Sequence, residues 1–158
     1  NEVAAKWGEK LAKLQKERGC YEHKVTIYPE MGHWMKKKDA EAVPWMATKT
    51  RKAWPQKVIW GQSGKRSERF YWLGGKPKDV VIASVKGQEI TIKGVGETPL
   101  TLYLNDQLLN LEEPVKVFVD GKEVYNGKVL RTKRAIQQSF KQRLDPAMAA
   151  TAIISFKK

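Results

Sequence analysis

The period of the apolar positions changes near residue 55. From Glu2 to Arg18, Val3, Trp7, Leu11 and Leu14 recur at spacings of three and four, with Lys and Glu filling the other face. That spacing predicts an amphipathic helix, and Gly19 is a natural stop for it. His23 to Tyr28 is short, β-branched and aromatic, so it predicts a strand. Pro29 and Gly32 then turn the chain. Asp39 can cap a second helix running to about Lys52, with Val43, Met46 and Thr50 along one side. Pro44 falls early in that helix, where a missing amide proton is tolerated. Helix, strand, loop, helix is an α/β order.

Beyond Pro55 the pattern alternates. Lys57 to Gly61 and Arg69 to Leu73 read as strands separated by the polar run QSGKRSE, and Gly74-Gly75-Lys76-Pro77 breaks the chain again. Further short strands are expected at 79–85, 88–93, 99–104, 115–119 and 122–126. The clearest element is the hairpin VKVFVDGKEVYNGKV. Asp120-Gly121 suits a tight two-residue turn, and Val115, Val117 and Val119 should share a core face with Val124. A helix over 131–144, ended by Asp145-Pro146, and a last strand at Ala152 to Phe156 complete the pattern. The expected fold class is α+β. A helix-strand-helix unit (1–56) precedes a small, mostly antiparallel, β-sandwich-like domain with one helix (57–158).

Composition adds bounds. In 158 residues, 41% hydrophobic and 30% charged positions describe a globular chain. No run is long enough to span a bilayer, and no cationic-then-apolar leader opens the sequence. The chain begins at Asn1 and goes straight into helical periodicity, which leads us to expect a piece of a longer polypeptide. The net charge of +13 raises nucleic-acid binding, but the charge is spread: 13 basic and 7 acidic residues in 1–57, 17 and 10 in 58–158. A solvated basic surface accounts for it better than a phosphate-binding patch.

His33 is the main chemical candidate. It stands on the loop leaving an expected strand, where the backbone is held and the ring exposed, a placement suited to a general base. Trp34 beside it is a candidate pocket residue. Cys20, His23 and His33 make a poor metal set, with three ligands at unhelpful spacing, and no cofactor is expected. Gly94-Val95-Gly96 lacks the third glycine and the helix of a dinucleotide loop. Trp34, Trp45, Trp54, Trp60 and Trp72 lie within 39 positions. They read as a seam between the two parts or, if exposed in a row, as a platform for sugars. Asp106 and Glu112-Glu113 read as loop charges.

The segment YPEMGHWM resembles the histidine loop of bacterial esterases and prolyl-oligopeptidase-like α/β-hydrolases. DAEAVPWM and the tail with VKVFVDGKEVYNGKV are similar to a subgroup carrying a β-sandwich behind the hydrolase domain. The resemblance implies that His33 is the general base of a serine triad, whose chain order is Ser, acid, His. The nucleophile is not here: Gly61-Gln62-Ser63-Gly64-Lys65 ends in Lys and follows the histidine. Glu2, Glu9, Glu17 and Glu22 are helix-face or adjoining charges, so Ser and Asp/Glu would both lie upstream. This chain would then be the C-terminal part of an ester or amide hydrolase, inactive alone, with the upstream polypeptide as partner. By resemblance only, that enzyme would be bacterial and exported or periplasmic. The alternative is a non-catalytic glycan- or protein-binding β domain.

Overall fold

The structure, a computed structural model, describes residues 2–19, 22–32, 34–61, 67–96 and 98–156. Cys20, His33 and most of the QSGKRSE run lie outside the described residues. The chain divides into two compact units, Asn1–Arg51 and Lys52–Lys158, so Trp54 and Pro55 belong with the second. The fold is α+β, with a small sheet-rich domain. No described helix is long and apolar enough to cross a membrane.

In the first unit, α1 (Glu2–Arg18) follows its apolar spacing and ends at Gly19, whose N–H donates to the Gln15 carbonyl at φ 58°. Yet no described residue of this unit is buried. Val3 and Trp7 stand exposed on the apolar stripe. The expected strand at 23–28 joins neither sheet. Its composition favours extension, but a strand forms only against a neighbour. The expected long helix is also shorter. A 3-10 helix (Met35–Glu41) leads into α2 (Ala42–Ala47). Thr48 then turns its hydroxyl back to the Trp45 carbonyl at 2.7 Å, a local bond that competes with helix continuation.

The second unit holds nine strands among its described residues. One sheet orders β1 (Lys57–Trp60), β4 (Val81–Lys86), β5 (Glu89–Lys93), β7 (Val115–Val119) and β8 (Lys122–Gly127). The other orders β2 (Arg69–Phe70), β3 (Leu73–Gly75), β6 (Leu100–Leu104) and β9 (Ala152–Phe156). All pairs are antiparallel except β5 with β7. That parallel pair arises because the chain leaves β5, runs β6 in the other sheet, and returns through residues 105–114. The two sheets share one buried cluster that includes Trp72, Ile90, Ile92, Leu102, Leu104 and Val117. Each such side chain contributes about 1.5–3 kcal/mol by leaving water.

Two expectations fail for local reasons. Arg69 to Leu73 is not one strand. Tyr71 adopts φ 51°, so the chain turns at Tyr71-Trp72 and pairs Phe70 with Leu73. Val124 does not join the core stripe and is 42% exposed. A bulge between Val117 and Phe118 pairs Val117 with Tyr125 and Phe118 with Glu123, stepping over Val124. The Asp120-Gly121 turn is as expected, with φ 49° and 84°.

Two arginines tie the second unit together. Arg69 is 4% exposed. Its guanidinium donates to the carbonyls of Tyr71 (2.9 Å), Ser139 (3.0 Å) and Met148 (2.7 Å) and stacks 4.1 Å from the Tyr103 ring centre. Gly74 makes room for that ring, since a Cβ there would sit 2.7 Å from it. The acceptors join β2 to α3 (Lys133–Arg143) and to the following 3-10 turn (Pro146–Met148). Arg131 grips Asp106 through two bonds (3.0 and 2.6 Å) and Glu112 through a third (2.6 Å). Asp106 also accepts from the Leu111 amide at 3.3 Å, so it organises the 105–114 loop rather than decorating it.

Candidate functional site

The described residues on either side of His33 form the most organised polar cluster of the first unit. Side chains of residues 24–28 alternate between two sides, as those of an extended chain do. Val25 meets α1, since a Cβ on Gly8 would touch it at 3.4 Å. Lys24, Thr26 and Tyr28 face the other way. With Met35, Lys38, Glu41, Trp45, Met46 and their neighbours they line a cavity of about 330 Å³. α1 thus stands on the Val25 side and α2 across the cavity on the other, while Val25 and Ile27 remain 38% and 41% exposed. Among the described residues, the peptide groups of 22–27 make no backbone hydrogen bond to another segment.

The loop between is clamped at its base. The Tyr28 hydroxyl donates to Glu41 Oε2 at 2.8 Å, and Lys38 Nζ donates to Glu41 Oε1 at 3.0 Å. The bond from Tyr28, then that from Lys38, holds the Glu41 carboxyl below its usual range. The same bond raises the Tyr28 hydroxyl, with burial and the charges of Glu41 and Asp39 adding to it. A second tie runs from Lys49 to Glu22 at 2.6 Å, with the ammonium 4.8 Å from the Trp45 ring centre. Within the loop, Glu30, Met35, Lys36 and Lys37 all take φ between 44° and 66°. Each such non-glycine residue costs on the order of 1 kcal/mol, and such residues cluster at functional loops.

The sequence candidates distribute as follows. His33 lies outside the described residues, between two well-held flanks: Met35 N–H donates to the Gly32 carbonyl at 3.0 Å and Lys37 N–H to that of Trp34 at 3.0 Å. Trp34 is 84% exposed and is not one of the cavity's lining residues. His23 Nδ1 is buried without a hydrogen-bond partner among the described residues. Trp54, Trp60 and Trp72 are buried in the second unit, where the Trp54 and Trp72 indoles donate to the Ala147 and Pro55 carbonyls at 2.8 and 2.7 Å. Those three cannot present their faces to a sugar. The Tyr28–Glu41 clamp escaped the sequence reading, because its partners are 13 residues apart and neither carries a local signal.

No protein-family model, curated protein or solved structure matches the chain.

Proposed function

We propose that this chain is the C-terminal part of a serine hydrolase of the α/β type, cleaving esters or amides, with His33 as the base of its triad. The observation that carries the reading is segment 22–28: α1 stands beside Val25, α2 stands across the cavity from Lys24, Thr26 and Tyr28, and among the described residues 22–27 make no backbone hydrogen bond to another segment. A strand with a helix on each side suits the inside of a parallel sheet. The absence of any buried described residue in the first unit agrees, since helices with apolar stripes are stable only when those stripes are covered. The remaining strands, the nucleophilic serine and the acid would come from upstream polypeptide.

On this reading His33 stands at the carboxyl end of its strand, on a loop whose base Tyr28 and Glu41 hold closed. Its imidazole takes the proton from the serine hydroxyl as the oxygen attacks the carbonyl carbon. It then returns that proton to the leaving alcohol or amine, and a water repeats the cycle on the acyl-enzyme. The glycan alternative is weakened by the burial of three of its five tryptophans. Amide hydrogen exchange tests the carrying observation. Residues 22–27 should exchange within seconds in the 158-residue chain and be protected in the longer protein. Strong protection in the short chain would remove the reason for a missing sheet.

A further inference from the structure

Helix α3 is built the wrong way round for a helix that only covers a sheet. Its small residues face inward: Ala135 and Ser139 are buried, and the Ser139 hydroxyl accepts from the Ala150 amide at 2.8 Å. Its large apolar residues face outward, with Ile136, Phe140 and Leu144 exposed by 44%, 40% and 75%. Spaced by four, they form one stripe about 12 Å long. Leu130, just before the helix, is exposed as well.

Leu144 sharpens the anomaly. It closes α3 in the left-handed conformation, φ 52°, where glycine or asparagine is strongly favoured. Packing against the rest of the chain does not account for so exposed a leucine at that position.

The charges on and just before α3 are all positive, with Asp145 the first acid after Leu144. From Val124 to Leu144 the sequence contains no Asp or Glu, but it holds Lys128, Arg131, Lys133, Arg134, Lys141 and Arg143. Arg131 is neutralised by Asp106 and Glu112. Among the described residues, Lys133, Arg134 and Lys141 have no carboxylate partner. Lys133 lies three residues before Ile136 and Lys141 three before Leu144, so both border the stripe.

We propose that α3 is a docking surface for an anionic lipid bilayer, lying in the headgroup layer with Ile136, Phe140 and Leu144 inserted. An apolar stripe edged by cations on a helix too short to span is the pattern of an interfacial helix. The excess of positive charge along α3 suits a fluid anionic surface, which offers charge everywhere. A protein groove would require register, and α3 has no acidic residue to help set it. The chain's net charge of +13 draws it to the same surface.

Co-sedimentation of the 158-residue chain with vesicles tests it. Vesicles of two parts phosphatidylcholine to one part phosphatidylserine should bind the protein, weakening as salt is raised; pure phosphatidylcholine should bind it far less. Lys133→Glu with Lys141→Glu should lower partitioning more than about twentyfold. Leu144→Asn should lower it about tenfold while leaving thermal stability unchanged or raised, because asparagine suits the left-handed cap. That variant separates docking from folding. No binding to the anionic vesicles, equal binding to both compositions, or unchanged binding by Leu144→Asn would overturn the proposal.

Discussion

Replacing Arg69 by alanine should cost the second unit about 3–5 kcal/mol. The figure follows from what the guanidinium holds. Its donors satisfy three carbonyl oxygens, from Tyr71, Ser139 and Met148, at 2.7–3.0 Å, and its face rests on Tyr103. Each carbonyl left buried without a donor costs roughly 1–3 kcal/mol, and the ring contact is worth about 1 kcal/mol. Two effects offset part of that sum. Burial pulls the guanidinium down to about 10, so it stays charged at neutral pH, and removing it relieves the desolvation. Water can also enter the vacated space and bond some of the carbonyls. Domains of this size are stable by about 5–15 kcal/mol, so the variant should be folded but fragile. Arg69→Lys should cost about 2–3 kcal/mol, since one ammonium cannot reproduce a three-way fork. Urea unfolding followed by tryptophan fluorescence reads this directly, because Trp60 and Trp72 sit in the same core. With a slope of about 1–3 kcal/mol per molar, the alanine midpoint should fall by about 2 M. A loss under about 1 kcal/mol, or a lysine variant equal to the parent, would refute the role given to these bonds.

Gly94→Ala should destabilise by about 3 kcal/mol or more, because φ is 81° and a Cβ would collide with the Val80 carbonyl oxygen. Gly87→Ala, at φ 57° in open space, should cost only about 1 kcal/mol, and a comparison of the two melting curves checks the contrast. Thr132→Ala removes the side-chain cap on the Ala135 amide and should cost about 1 kcal/mol in denaturant unfolding. Asp106 is held below the usual carboxylate range mainly by its bond from Arg131. Its contribution is therefore complete above that range and is lost as pH falls through the lowered value. Acid titration of the melting temperature should show a fall below the usual carboxylate range that Asp106→Asn makes smaller.

How much could be read from the chain alone depended on how local the deciding contact was. The β7–β8 turn was legible because Asp120-Gly121 and the alternating valines carry their own information. The ends of α1 and α3 were legible within a residue or two for the same reason. The bulge that exposes Val124 was not, since nothing in VKVFVDGKEV distinguishes it from regular pairing. Nor was the turn at Tyr71, an aromatic residue in a conformation that its type disfavours. Nothing local marks Arg69 as buried: Ser139 and Met148, 70 and 79 residues away, bring it their carbonyls. Asp106 likewise takes its meaning from Arg131, 25 residues on. In the first unit the limit is different. Residues 23–28 have the composition of a strand, but a strand is a relation between segments, and the described residues offer it no partner.

We propose that upstream polypeptide completes a sheet around residues 22–28. The decisive measurement is to read the native frame upstream of Asn1, express the whole product and label it with a fluorophosphonate. The account predicts one labelled serine, in a G-x-S-x-G turn between a strand and a helix. An acidic loop residue should follow it before Asn1, and ester turnover should fall by several orders of magnitude on His33→Ala. The 158-residue chain itself should not turn over activated esters. An upstream region without such a serine, or turnover indifferent to His33→Ala, would contradict it.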